Sequence, residues 1–428
     1  MRSRLKYLLS DKGYIRGPFG SALKRNELES NGVPVYEQQH AIEGTREFRF
    51  FINSEKYEEL KRFTVRENDL IISCSGTVGR VSIIKSTDPV GIISQALLIL
   101  RPNVSLVTPK YLYYYFSSKE GYNSIASRST GSVQVNIAKR EIIESIELDV
   151  PPISDQKTIT NILSTLDDKI ELNKRMNKVL EQMAQAIFKQ WFVNFEFPNE
   201  DGEPYKSSGG EMEWCEELGK EIPKGWKIKS LKELSEVITK GTTPTTLGKS
   251  FTNSGINFVK AESITNNHSF DSNKFAFIDE ETNTLLKRSV IKEKDILYTI
   301  AGTLGRYAIA TKEILPANTN QAVAIIRINE SIISPYYIIC YFLSGEHENF
   351  YSARTQQAVQ ANLSLTTIGE LQLTIPHDTV LRLFYDIINE LFAKIDNMIK
   401  QNSHLSNLRD TLLPKLMSGE IDVSEIEL

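Results

Sequence analysis

The chain has 428 residues, 40% of them hydrophobic and 24% charged, an ordinary balance for a globular protein with room for two to four domains. No apolar run reaches the roughly 18–20 residues of a membrane helix, and residues 1–13 are too polar for a signal peptide. The net charge of −4 argues against a uniformly basic nucleic-acid binder, but it averages unlike parts.

Residues 1–150 read as a first mixed α/β domain, with 21 Lys+Arg against 17 Asp+Glu. Short β-rich runs are predicted at 69–73 and 81–84, with the segment Gly76-Thr77-Val78-Gly79-Arg80 between them. Two glycines three apart between β-branched runs predict a tight turn with exposed backbone. A longer strand over 95–101 follows, then Pro109 opens an aromatic helix and a last strand precedes Pro151. Segment 151–195 is predicted as a long helix over 155–191, in which Leu163, Leu166, Ile170, Asn173, Asn177, Leu180, Ala184 and Ile187 recur at spacings of three and four. That is the seam of a coiled coil. Residues 196–220 hold 8 acids and 2 bases and read as an acidic, Gly/Pro-containing linker.

The next domain, 221–376, repeats the first at an offset of 226. Asp69, Gly76, Thr77, Gly79 and Arg80 return as Asp295, Gly302, Thr303, Gly305 and Arg306. Gln95, Ala96 and Arg101 return as Gln321, Ala322 and Arg327; Val133, Gln134 and Asn136 return as Val359, Gln360 and Asn362. Pro109, Tyr111, Tyr115 and Phe116 return as Pro335, Tyr337, Tyr341 and Phe342. Chance does not hold so many identities in one register, and the period is too long for a solenoid. The chain therefore carries a duplicated domain and offers two similar surfaces. Segment 377–428 contains a second long helix, expected over 380–413, with Leu391, Ile395, Asn402 and Leu405 matching Leu166, Ile170, Asn177 and Leu180 at an offset of 225. The matched asparagines suggest a polar layer that sets the register of helix pairing. Two amphipathic helices, each packing on its own domain, would explain the same spacing.

Candidate catalytic chemistry is sparse. No Gly-x-Gly fingerprint follows a strand, and the five histidines show no metal or triad spacing. Asp149-Val150-Pro151-Pro152 lacks the aromatic of an amino-methyltransferase motif, because Ile153 follows. Gly241 and Gly248-Lys249-Ser250 imitate a phosphate loop with the wrong glycine spacing, interrupted by Pro244. Cys74, Cys215 and Cys340 are odd in number and widely spaced, as expected of free thiols in a reducing cytoplasm.

Binding is better supported. The amides Gln95, Gln321, Gln134, Gln360, Asn136 and Asn362 can pair with adenine edges. Arg80 and Arg306 suit guanine or phosphate, and Thr77 and Thr303 share their turns. All of them could equally serve to fold the turn. Lys24, Arg25, Lys249 and Lys260 lie in stretches that differ between the repeats, where two surfaces with different targets would have to diverge.

Over nearly its full length the chain resembles the specificity subunits of type I restriction–modification systems. The resemblance rests on the duplicated turn and Gln-Ala strand, on Pro223-Lys224-Gly225-Trp226, and on the helix exit Phe188-Lys189-Gln190-Trp191-Phe192-Val193-Asn194-Phe195. The family usually has an acid where Asn194 stands. The ending Leu412-Leu413-Pro414-Lys415-Leu416-Met417-Ser418-Gly419-Glu420-Ile421 matches too. The resemblance implies an α+β fold: two similar mixed α/β target-recognition domains separated by two long antiparallel coiled-coil helices, with pseudo-twofold symmetry. It implies a non-catalytic subunit that reads bipartite double-stranded DNA, one domain per half-site, and docks two modification (adenine methyltransferase) subunits and restriction subunits. S-adenosylmethionine, ATP and Mg would then belong to those partners, with no cofactor on this chain. A tandem-domain scaffold and a free-standing DNA-modifying enzyme are the alternatives; turnover by the chain alone would favour the latter.

Overall fold

The computed structural model describes residues 2–129, 135–355 and 362–426. The chain forms two units: residues 1–170 with 403–428, and residues 171–402. The two long helices are shared, each contributing one part to either unit.

In the first unit, β1 (Leu9–Arg16), β2 (Leu70–Ser73), β3 (Val81–Ile83) and β4 (Leu97–Pro102) form an antiparallel sheet in the order β1-β4-β2-β3. The central strands β2 and β4 are apolar along their length, Leu70 to Ile72 and Leu97 to Leu100 being fully buried, because both faces of the sheet are covered. One face packs under α1 (Pro109–Ser117) and the start of α2 (Ile153–Phe188). The other packs against a small sheet in which Val33–Tyr36 pairs antiparallel with Phe51–Ile52 and parallel with Ile92–Ile93. Helix α1 begins at Pro109 after a Thr108 cap whose side chain accepts the Tyr111 N–H. Its Tyr111 hydroxyl donates to the Asp149 carbonyl, tying it to the last strand, Glu147–Asp149.

The second unit repeats this plan strand for strand. Its four-stranded sheet runs β5 (Ser235–Lys240), β8 (Val323–Ile328), β6 (Ile296–Thr299), β7 (Tyr307–Ile309). Leu297 pairs with Ile325 as Ile71 pairs with Ile99. The small sheet is Ala276–Ile278, Ile256–Val259 and Ala317–Thr319, again one antiparallel and one parallel pairing. Helix α3 (Pro335–Ser344) repeats α1, and its Tyr337 hydroxyl donates to the Thr374 carbonyl. Residues 196–220 are ordered rather than featureless: Phe197 stacks on Tyr205 and Trp226, and Met212–Cys215 pairs with Lys220–Pro223 as a hairpin.

The central helix was expected over 155–191; α2 spans Ile153–Phe188 and continues as a wider turn, Lys189–Val193, that buries Trp191 and Phe192. The distal helix, α4 (Asp378–Met417), outruns its expected end at 413 by passing through Pro414. Leu413 and Leu416 anchor that last turn in the first unit's core, which offsets the lost backbone bond. Within the first unit Ile159 and Leu163 of α2 share a core with Leu413 and Leu416 of α4, and Arg409 pairs with Asp167 at 2.9 Å. Within the second, Ala184 and Phe188 share a core with Phe384, Ile388, Leu391 and Ile395. The helix pair is antiparallel in each unit.

Candidate nucleic-acid interface

The Gly-Thr-x-Gly-Arg turns are built twice by the same device. In the first unit the Ser73 hydroxyl donates to the Thr77 carbonyl (2.5 Å) and accepts the Arg80 N–H (2.9 Å). Thr299 does the same in the second, donating to the Thr303 carbonyl and accepting the Arg306 N–H at 2.8 Å. Ser73 and Thr299 are equivalent at the offset of 226, a hydroxyl kept while the residue changed, so matching by identity overlooks them. Gly76, Gly79, Gly302 and Gly305 all take positive φ, between 65° and 90°, where a Cβ is strained.

At the end of the strands away from each turn lies a buried ion pair. Arg101 reaches Asp69 through Nε and Nη2, both at 2.7 Å, and Asp69 also accepts the Arg66 N–H. Arg327, Asp295 and the Lys292 N–H repeat this. The recurrence of Asp69 and Arg101 is thus structural: together they hold the start of β2 to the end of β4.

Three separate segments meet at the turn. Cys74 N–H donates to the Ala96 carbonyl, Gly76 N–H to Val135 and Ile137 N–H to Cys74. In the second unit Ile300 N–H donates to Ala322 and Leu363 N–H to Ile300. These bonds bring Gln95, Thr77 and Asn136 to one rim of the first unit, and Gln321, Thr303 and Asn362 to one rim of the second. All but the half-exposed Thr303 are exposed. Gln134 and Gln360 lie outside the described residues.

The rims differ in what surrounds them. Thr243 donates to Gln321, Thr303 to the Ala261 carbonyl, and Arg306 Nη1 to the Ile264 carbonyl at 3.1 Å. Arg80 instead lies over the Tyr122 ring, 4.9 Å from its centroid. Gln38, on the helix Gln38–Ile42, reaches within 4.0 Å of where a Cβ on Gly76 would stand. Neither Tyr122 nor Gln38 carried a sequence signal, since neither recurs. Lys24 and Arg25 are exposed. Lys249 and Lys260, candidates for contact with DNA, pair with Glu281 (2.7 Å) and Glu262 (3.2 Å). The Glu281 carboxylate raises the Lys249 ammonium above its ordinary pKa. A phosphate must displace these acids, a small cost for surface pairs.

Along the helices, Ile170, Leu391 and Ile395 are buried, and Leu166, Leu180 and Leu405 are half-buried. The expected polar layer is corrected in its membership. Asn402 is not opposite Asn177: its Oδ1 accepts from Asn173 Nδ2 at 2.9 Å, with Gln401 Oε1 at 2.7 Å. Antiparallel pairing makes Asn177 the symmetry counterpart of Asn402 rather than its partner. Asn177 Oδ1 is buried without a hydrogen-bond partner among the described residues.

Among the described residues no cluster of His, Cys, Asp or Glu is arranged to hold a metal ion, and no helix is long and apolar enough to cross a membrane. The three cysteines are buried free thiols.

The duplicated architecture has known relatives. The family model for the type I restriction modification DNA specificity domain matches twice, over residues 19–182 and 223–406. The type I restriction enzyme MjaIX specificity subunit of Methanocaldococcus jannaschii is 30% identical over 428 residues, spanning 98% of this chain and 93% of the relative. The HindI specificity subunit of Haemophilus influenzae is 24% identical over 388 residues, spanning 77% of this chain and 81% of the relative. The crystal structure of a type I restriction–modification system S subunit from M. genitalium superposes with a TM-score of 0.52 at 16% identity, covering 97% of this chain and 96% of that one, and shares the fold. The chain belongs to the family of type I restriction–modification specificity subunits and carries two copies of its DNA-recognition domain.

Proposed function

We propose that residues 1–150 and 221–376 each read one half of a bipartite double-stranded DNA target. Segments 151–195 and 377–428 space them and dock two modification subunits, with 196–220 as the connection. Restriction subunits join the same complex in the cytoplasm. S-adenosylmethionine, ATP and Mg are used by those partners, and this chain supplies recognition without turnover.

The observation that carries this reading is the pair of matched rims. Each gathers an exposed Gln and Asn and a turn Thr, exposed in the first unit and half-exposed in the second, from three distant segments around a turn pinned by a strand hydroxyl. Amides held on rigid backbone can pair bidentately with adenine edges, and the surrounding residues, which differ between units, allow each half-site its own sequence. Charge agrees: the acids concentrate outside 1–150 and 221–375, which carry net charges of +4 and +1. So does scale. A 36-residue helix is about 54 Å long, enough to set a spacing comparable with one DNA turn of roughly 34–36 Å.

Methylome sequencing of a strain carrying this chain with its modification subunits tests the reading. A single bipartite adenine-methylated motif is the expected outcome; an undivided motif, or methylation by the chain alone, overturns it.

A further inference from the structure

The turn arginine is duplicated, yet its two copies stand in different surroundings. We infer that their roles have parted: Arg80 grips a DNA phosphate, whereas Arg306 is a positioning residue that holds the loop after Val259. This deepens the DNA-reading function proposed above and rests on it.

The backbone lock around both arginines is the same, so the scaffold does not distinguish them. What differs is the side chain's neighbourhood. Arg80 is exposed, and its guanidinium has no hydrogen-bond or ion-pair partner among the described residues. The Tyr122 ring beneath it attracts the cation by its face and consumes none of its five N–H donors. Beside the pair opens a cleft of about 140 Å³ lined by Ala41, Ile42, Val81, Phe116 and Ser117. No carboxylate lines it.

At the matching place in the second unit the cleft is filled. Tyr307 replaces Val81 and carries the His268 ring stacked on it at 4.2 Å, with Phe342 behind at 5.2 Å. Glu348 replaces Tyr122, so the aromatic platform is gone. Arg306 turns to the Ile264 carbonyl, Thr303 to the Ala261 carbonyl, and Ile264 is fully buried. Together they brace 261–264, directly after Lys260, one of the divergent candidates for contact with DNA.

The cleft wall favours phosphate over guanine. The fork alone can grip guanine or phosphate, but Ser117 is the one polar side chain there besides Arg80 and Tyr122, so the wall offers nothing to hold a base in register beside it. Charge without pattern suits the backbone, where an arginine fork binds phosphate oxygens.

The test uses the full chain assembled with its modification subunits and DNA carrying the methylated motif, with affinity followed against salt. A linear fall of log affinity with log salt for the unaltered complex checks the underlying reading; its absence overturns both that reading and this inference. Arg80→Ala should flatten the slope by about one and weaken binding about tenfold near 0.1 M salt, equally for the target and its single-base variants. Arg80→Lys should restore the slope, and Tyr122→Phe, which keeps the ring face, should behave as the unaltered chain. Arg306→Ala should leave the slope alone and relax discrimination within one half-site, with Arg306→Lys restoring it. An unchanged slope in Arg80→Ala, a loss confined to targets with guanine at one position, or an equal flattening by Arg306→Ala overturns the inference.

Discussion

Replacing Arg101 by Met probes the structural half of the duplicated motif. Asp69 is 1% exposed and its carboxylate is held by two guanidinium bonds of 2.7 Å and the Arg66 N–H at 2.8 Å. Without the cation a carboxylate stays behind in the interior, which costs about 3–5 kcal/mol. Against the roughly 5–15 kcal/mol that holds a domain together, this is a large fraction. Adding Asp69→Asn removes the stranded charge and keeps an acceptor for Arg66, so the double variant should regain at least about 1 kcal/mol over Arg101→Met alone. Hydrogen exchange resolved by peptide suits a chain of two units, for which a single melting transition is ambiguous. Amides of β2 and β4 should lose protection by about two to four orders of magnitude in Arg101→Met, with the matched strands β6 and β8 as internal reference. Unchanged protection, or a double variant no better than the single one, would refute the assignment of this pair as a structural clamp.

Asn177→Leu should raise stability by about 1 kcal/mol, since it removes a buried amide oxygen that lacks a partner, and should do so by more than Asn173→Leu, which removes a like oxygen but also takes the donor from the half-buried Asn402 Oδ1; denaturant titration of the two variants decides the order. His347 is 2% exposed, and burial with the neighbouring His268 lowers its pKa to about 4 from 6.5. Its folded-state pKa is depressed, so the unfolded chain binds the proton first as pH falls below 6.5. Stability of the second unit should drop by about 2 kcal/mol between pH 7 and pH 5, and His347→Phe should flatten that dependence in exchange measurements at the two pH values. Matched insertions of four residues, about 6 Å of helix, after Ile170 in α2 and after Asn402 in α4 keep the antiparallel seam in step. Methylome sequencing should then show a longer spacer between unchanged half-sites; an unaltered spacer with methylation intact would rule out the helices as a ruler.

The duplication made much of the fold legible. Identities such as Asp69 with Asp295 and Gly76 with Gly302 located matching strands and turns, because those residues serve backbone geometry that both copies share. The small sheets were not legible, since Val33–Tyr36 and Ile256–Val259 lie in stretches without a repeat signal and pair with strands more than fifty residues away. The hairpin at 212–223 was hidden by its acids: of its paired residues only Cys215, Ile222 and Pro223 are buried, and Glu213 shares a face with Ile222, so no apolar alternation marks the strands. Periodicity gave the helices and their seam but not the partner of each rung; only antiparallel pairing places Asn173 against Asn402. At the rims, recurrence singled out the residues but could not separate Arg80 from Arg306, because their difference lies in the neighbours Tyr122 and Ile264.

The central claim is that each unit reads its own half of one DNA target. The most direct measurement is methylome sequencing of paired rim variants, Gln95→Ala with Asn136→Ala in the first unit and Gln321→Ala with Asn362→Ala in the second. The account predicts that the first pair relaxes one half-site only and the second pair relaxes only the other. Loss of specificity in the same half by both pairs, or an unchanged motif in both, would contradict it.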